Sequence, residues 1–132
     1  MTEALKVLII EDDPDVRLGC EQALQLEGIL TESVASAEEA KLLLGKDFRG
    51  VIVSDIRLPR MDGMTFLREV LAVDPQLPVV LITGHGDISM AVQAMKDGAH
   101  DFIQKPFSPE YLVEVVRRAL EKRLLTLEVR DL

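Results

Sequence analysis

The chain has no tryptophan, one tyrosine and one cysteine, Cys20, among its 132 residues. A single thiol excludes an intramolecular disulfide framework and suits a reducing compartment. No apolar run approaches the ~18 residues that a membrane span requires. The opening MTEALKVLII has an acidic residue and no basic leading region, so it does not read as a secretory signal. The expected location is the cytoplasm. Positive charge is also short, with 15 Lys and Arg against 23 Asp and Glu, a formal net charge of −8. That balance argues against nucleic-acid binding by these residues, because phosphate contacts need a basic face. The few aromatics leave no stacking platform for single strands either. Internal repeats, low-complexity stretches and Gly/Ser/Pro-rich linkers are absent from the sequence.

Hydrophobic residues make up 48% of the chain and charged residues 29%, which is globular composition at single-domain length. Five short runs rich in β-branched residues predict strands at 7–10, 29–34, 51–53, 79–82 and 101–103. The first and third have little polar interruption, as strands buried on both faces do. Helical spacing fills the gaps. Val16, Cys20, Ala23 and Leu24 mark a first helix stopped near Gly28. Ser36 and Glu39 frame a capping box that opens a second helix through Leu43. The spacing predicts further helices over 65–71 and 88–96, the latter ended by Gly98, and Ser108 with Pro109 opens a fifth. Five strand–helix alternations specify an α/β domain, doubly wound around a parallel sheet with right-handed crossovers.

The final helix has no stop signal. Leu120, Leu124 and Leu127 recur at four–three spacing, and Leu125, Val129 and Leu132 do so on an adjacent face. The spacing predicts a domain over residues 1–122 and the start of a dimerising or linking helix over 123–132, a stalk that one small core does not cover. The ending EVRDL suggests a piece of a longer protein.

Polar residues collect where the strands should end. Glu11, Asp12 and Asp13 follow the first, Asp55 the third, Thr83 the fourth and Lys105 the fifth. Open α/β sheets bind ligands outside the carboxyl ends of their strands. Clustered carboxylates repel one another and would hold a hard cation, and Mg²⁺ takes oxygen ligands of this kind. Glu11, Asp12 and Asp55 could supply them. Lys105 offers a point charge for an anion and Thr83 a hydroxyl donor. A cation, a lysine and a hydroxyl around one carboxylate is a phosphoryl-transfer arrangement, with Asp55 the nucleophile that forms an acyl phosphate.

The segments VLIIEDDPDVR, VIVSDIRLPRMDG, VVLITGHGDI and AHDFIQKPF together resemble the receiver domain of two-component response regulators over about residues 5–122. The resemblance implies a flavodoxin-like (βα)5 fold with strand order 2-1-3-4-5 and a sensor histidine kinase as partner. It makes Asp55 the phosphoacceptor. Asp12 would bind Mg²⁺ directly, Glu11 through water, and the main-chain carbonyl of Arg57 would be a third protein ligand. Glu11 stands where the family often has Asp. Lys105 would bind a phosphoryl oxygen, with a cis bond to Pro106. Thr83 and Phe102 would be the switch pair, and Asp13 would support the site. Cys20 and His100 match no functional position, and His85 reads as loop surface.

The run TGHGDISMAVQAMKDGAHDFIQKPF resembles receivers of sigma-54-dependent activators, especially regulators of C4-dicarboxylate transport. The tail LEKRLLTLEVRDL is similar to the helix joining such receivers to an AAA+ ATPase. This implies a homodimer through the fourth and fifth helices and the stalk, and DNA binding by an output domain outside these residues. The Gly-His-Gly-Asp run is shared with nitrogen-fixation-type regulators that carry a helix-turn-helix output, which is the alternative. A different class, a Mg²⁺-dependent phosphatase with an aspartyl nucleophile, commonly shows Asp-x-Asp at one strand end. Here Arg57 occupies the second position.

Overall fold

Every predicted strand and helix is present in the computed structural model, which describes residues 4–84 and 86–132; His85 lies outside the described residues. The order is β1 (Lys6–Ile10), α1 (Pro14–Gln25), β2 (Leu30–Val34), α2 (Ala37–Lys41), β3 (Gly50–Asp55), α3 (Gly63–Val73), β4 (Val79–Thr83), α4 (Ile88–Lys96), β5 (Asp101–Gln104) and α5 (Pro109–Arg130). The strands form one parallel sheet in the order β2-β1-β3-β4-β5. The apolar runs of β3 and β4 are buried throughout, and the sheet edges fall to β2 and β5, whose polar residues tolerate exposure.

Side-chain alternation along the strands divides the core into two layers. Leu8, Ile10, Ile52 and Leu81 face Phe66 and Leu67 of α3 and Ala94 of α4. Val7, Ile9, Val53, Val80 and Ile82 face Cys20 and Leu24 of α1 and Leu112 and Val116 of α5. Each fully buried aliphatic side chain contributes roughly 1.5–3 kcal/mol. The two layers fix the sheet between them, and with it the polar edge.

Several boundaries differ from the sequence reading. β3 runs through Asp55 and β4 through Thr83, so these residues end their strands instead of following them. α3 begins at Gly63, capped by the Asp62 carboxylate on the Thr65 amide at 2.8 Å. Gly63 is needed there, since a Cβ would lie 2.5 Å from the Asp55 carbonyl oxygen. α2 stops at Lys41, and of the three leucines that follow only Leu44 packs on the core, while Leu42 is 86% exposed. In the cap of α2 the Glu39 amide bonds Ser36 Oγ as expected, but the Glu39 carboxylate accepts from the Ala35 amide.

The largest departure is in α5. It is unbroken to Arg130, and its last turns do not stand clear of the domain. Arg123 and Leu127 are buried. Arg123 donates to the Phe48 carbonyl and, at 2.7 Å, to Asp74. Arg130 donates to Asp74, Asp47 and Gln76. Leu127 therefore belongs to the domain and not to a free seam, whereas Leu125, Val129 and Leu132 are exposed.

Candidate functional site

Register brings the polar residues together. Ile10 pairs with Ser54, Asp55 with Ile82, and Thr83 with Gln104. Continuing β1 by one residue sets Glu11 beside Asp55. Carboxylate oxygens of Glu11, Asp12 and Asp55 lie within 4.8 Å of one another. Glu11 and Asp55 are buried and Asp12 is exposed. Lys105, just beyond β5, reaches across β4, its Nζ 2.9 Å from Asp55 Oδ2 and 3.4 Å from Glu11 Oε1. The Lys105 amide bonds the Thr83 carbonyl at 2.8 Å, which ties the two strand ends together. The Lys105–Pro106 peptide is cis.

Burial, reinforced by the charge of Asp55, pushes the Glu11 carboxyl up to about 7. Burial works against the Lys105 ammonium, but the bond and charge of Asp55, with Glu11, hold it above the usual lysine range. The cluster is thus one cation short of balance. Three oxygen donors converging from two adjacent strand ends suit a hard divalent cation. The Arg57 amide donates to Asp55 Oδ1 at 2.9 Å, which fixes the carboxylate from the β3–α3 side.

The remaining expected residues take distinct places. Thr83 is fully buried, its hydroxyl 3.5 Å from the Ile103 carbonyl as donor. Phe102 is partly buried against the layer formed with α3 and α4. Asp13 stands outside the carboxylate cluster. It caps α1, accepting from the Asp15 amide at 2.9 Å, and its own amide bonds Glu11 Oε2. Pro106 and Lys105 line an open depression with Val16, Gly84 and Phe107.

Two features were not read from the sequence. Arg17 Nη1 donates to the Glu11 carbonyl at 2.7 Å, pinning the acidic turn from α1. Arg57 forms a two-pronged ion pair with Asp87, at 2.6 Å in its shortest contact. The sequence signal for Asp87 was its position just before an apolar helical run, which reads as an N-cap. A cation partner 30 residues upstream carries no such signal.

A doubly wound sheet with carboxylates and a lysine gathered at its carboxyl edge defines a class, the flavodoxin-like domains with a cation- and anion-capable edge. Within that class, the response regulator receiver domain model matches residues 7–117, and the chain belongs to that family. It is 53% identical over 132 residues to the C4-dicarboxylate transport transcriptional regulatory protein DctD of Rhizobium meliloti, covering 100% of this chain and 29% of DctD. It is 42% identical over 116 residues to the transcriptional regulatory protein FixJ of the same organism, covering 87% of this chain and 56% of FixJ. A crystal structure of NtrX from Brucella abortus superposes with a TM-score of 0.87 at 38% identity, covering 98% of this chain and 29% of that one. The chain thus spans about 29% of the length of DctD.

The chain is a response regulator receiver domain. Receiver domains bind Mg²⁺ at an acidic pocket and interact with histidine kinases, and the Glu11–Asp12–Asp55 cluster is such a pocket in composition. Among the described residues no helix is long and apolar enough to cross a membrane.

Proposed function

We propose that Asp55 accepts a phosphoryl group from the phosphohistidine of a sensor histidine kinase. The setting of Asp55 carries this reading: a buried carboxylate at a strand end, 2.9 Å from Lys105 Nζ, within a set of three converging acids. A carboxylate oxygen of Asp55 attacks phosphorus in line. The O–P bond forms as the N–P bond to the kinase imidazole breaks, and the electron pair leaves with that nitrogen. Lys105 transfers its charge from Asp55 Oδ2 to a phosphoryl oxygen, where charge accumulates. Thr83 gives up its long contact with Ile103 and donates to a second phosphoryl oxygen. Glu11, Asp12, Asp55 and the Arg57 carbonyl would hold Mg²⁺, Asp12 directly and Glu11 through water, and the bound ion would neutralise charge on the moving group. Asp13 and Pro106 support the site from outside. Phe102 follows Thr83, and the face built from α4, β5 and α5 changes shape. Hydrolysis of the acyl phosphate resets the domain.

Asp55→Asn should fold and take no label from acetyl phosphate and Mg²⁺, conditions that should label the unaltered protein. Stable labelling of the variant, read by mass spectrometry, would assign the nucleophile elsewhere.

Residues 1–122 would then form the receiver, and 123–132, the last turns of α5 that Arg123, Leu127 and Arg130 dock on it, would lead on to an output domain. The resemblance of the 83–107 run and of the tail favours a sigma-54-dependent activator with an AAA+ ATPase, whose output domain would bind DNA. The higher identity to DctD than to FixJ supports this over a helix-turn-helix output. Ile88, Val92 and Met95 leave an apolar stripe exposed on α4, and Leu125 and Val129, with Leu132 just past the helix end, leave another on α5. Both stripes fit a homodimer. Phosphotransfer from a sensor kinase would place the domain in the cytoplasm.

A further inference from the structure

The phosphotransfer scheme makes no use of the Arg57 side chain, yet that side chain sits at the edge of the site. Its Nε lies 3.1 Å from both carboxylate oxygens of Asp87, and its Nη2 lies 2.6 Å from Oδ1. The pair is lopsided, since the Arg57 side chain is 72% exposed and that of Asp87 only 2%. Asp87 occupies the N-cap position of α4 but makes no side-chain cap bond. The residues capping α1, α2, α3 and α5 all make one. The Asp87 carboxylate is instead turned to Arg57 and to the Gly84 amide, 3.3 Å away. Arg57 is at the same time anchored to the acceptor, because its amide bonds Asp55 Oδ1.

We propose that the Arg57 guanidinium is a second cation for the phosphoryl group, held by Asp87 until Asp55 is phosphorylated and then transferred to a phosphoryl oxygen. This rests on Asp55 being the phosphoacceptor. The exchange follows from charge and geometry. Phosphorylation replaces one carboxylate charge by a group with three acceptor oxygens and ~1.5–2 charges, two residues from an arginine whose fork matches such oxygens. The Arg57 side chain is exposed, so it reorients without disturbing the core.

Departure of Arg57 has a consequence at α4. A carboxylate as buried as Asp87 does not stay in place without a cation, because an uncompensated buried charge is strongly unfavourable. Two outlets are open to it. It can turn to water, or it can swing back over the first amides of α4, the position its sequence place prescribes. Either one alters the N-terminus of α4. The phosphoryl charge is thereby felt at α4 through Arg57 and Asp87, in parallel with the route through Thr83.

The test is nuclear magnetic resonance of the 132-residue chain, following backbone amides and the Arg57 Nε–H, with beryllofluoride and Mg²⁺ standing in for the phosphoryl group. Two variants accompany it, Asp87→Asn and Arg57→Gln. In the unaltered protein the Arg57 Nε–H signal should shift on adding beryllofluoride, together with Gly84, Asp87 and the first turn of α4. Asp87→Asn without beryllofluoride should move the Gly84 and α4 signals part-way toward the beryllofluoride pattern and should bind beryllofluoride several-fold more tightly, since Arg57 is already free. Arg57→Gln should bind it several-fold more weakly. An Arg57 Nε–H signal that beryllofluoride leaves unmoved overturns the proposal. So does an Asp87→Asn variant that binds beryllofluoride no more tightly than the unaltered protein. Labelling by acetyl phosphate separates this from a failure of the phosphoacceptor reading. If Asp55→Asn is labelled as readily as the unaltered protein, that reading falls; if only the Asp87 and Arg57 effects are absent, Asp55 stands and the second cation does not.

Discussion

Asp12 and Glu11 are neighbours with opposite environments. Glu11 is buried and its carboxyl is pushed up to about 7 by burial and by Asp55, so it sits in the fold at a cost. Asp12 is exposed and adds its charge to the cluster without entering the core. Asp12→Asn should therefore leave unfolding free energy within ~0.5 kcal/mol of the unaltered protein. The same change should weaken Mg²⁺ binding by about tenfold or more, read by calorimetric titration. A variant that loses stability but keeps its Mg²⁺ affinity would show that Asp12 serves the fold instead of the cation.

Helix α5 illustrates what an element gains from contacts distant in sequence. Its last turns are held by Asp74, the residue that ends α3, which receives both Arg123 and Arg130. Burial raises the Asp74 carboxyl, but hydrogen bonds from Arg130, Arg123 and the Gln76 amide outweigh it and hold the group down at about 2. A carboxyl whose folded value lies below its unfolded one stabilises the fold above the unfolded value, and that stabilisation is lost as pH falls. For Asp74 the window runs from about pH 4 down to about pH 2, and the amount is about 2 kcal/mol. Denaturant unfolding at several pH values should show this loss, and Asp74→Asn should flatten it. At neutral pH that variant should cost about 3–5 kcal/mol, because Arg123 is left buried without its carboxylate. Arg123→Met should cost less, since it removes the buried charge itself while Arg130 still neutralises Asp74. Equal costs for the two would mean that the charge pairing is not what holds α5 down.

For the molecule as a whole, the docking of α5 decides which surface the proposed homodimer could use. Leu125 lies two residues from both Arg123 and Leu127, about 200° around the helix from Arg123. With Arg123 and Leu127 buried, Leu125, Val129 and Leu132 are turned outward. Replacing Leu125 and Val129 together by Glu should leave the melting transition near that of the unaltered chain and abolish self-association in sedimentation, both with and without beryllofluoride and Mg²⁺. Association that survives would move the proposed dimer contact to the α4 face alone.

The sequence by itself determined the alternation of five strands and five helices and the placing of Glu11, Asp12, Asp55, Thr83 and Lys105 at one edge. Both follow from local signals. Apolar periodicity reports whether a segment is buried on one face or two, and in a parallel sheet every strand end points the same way, so residues after strands meet without further information. Strand ends were legible only to within a residue or two, since Asp55 and Thr83 are buried like their predecessors but polar in kind. Tertiary structure alone decided the partners of charged residues. Arg57 finds Asp87 across 30 positions, and Arg123 finds Asp74 across 49. Periodicity counts an arginine as exposed, and Arg123, which falls within the expected stalk, is wholly buried. An ion pair depends on where the chain returns, which one segment does not encode, and so the docked α5 and the paired Arg57 emerge only once the two layers have closed on the sheet.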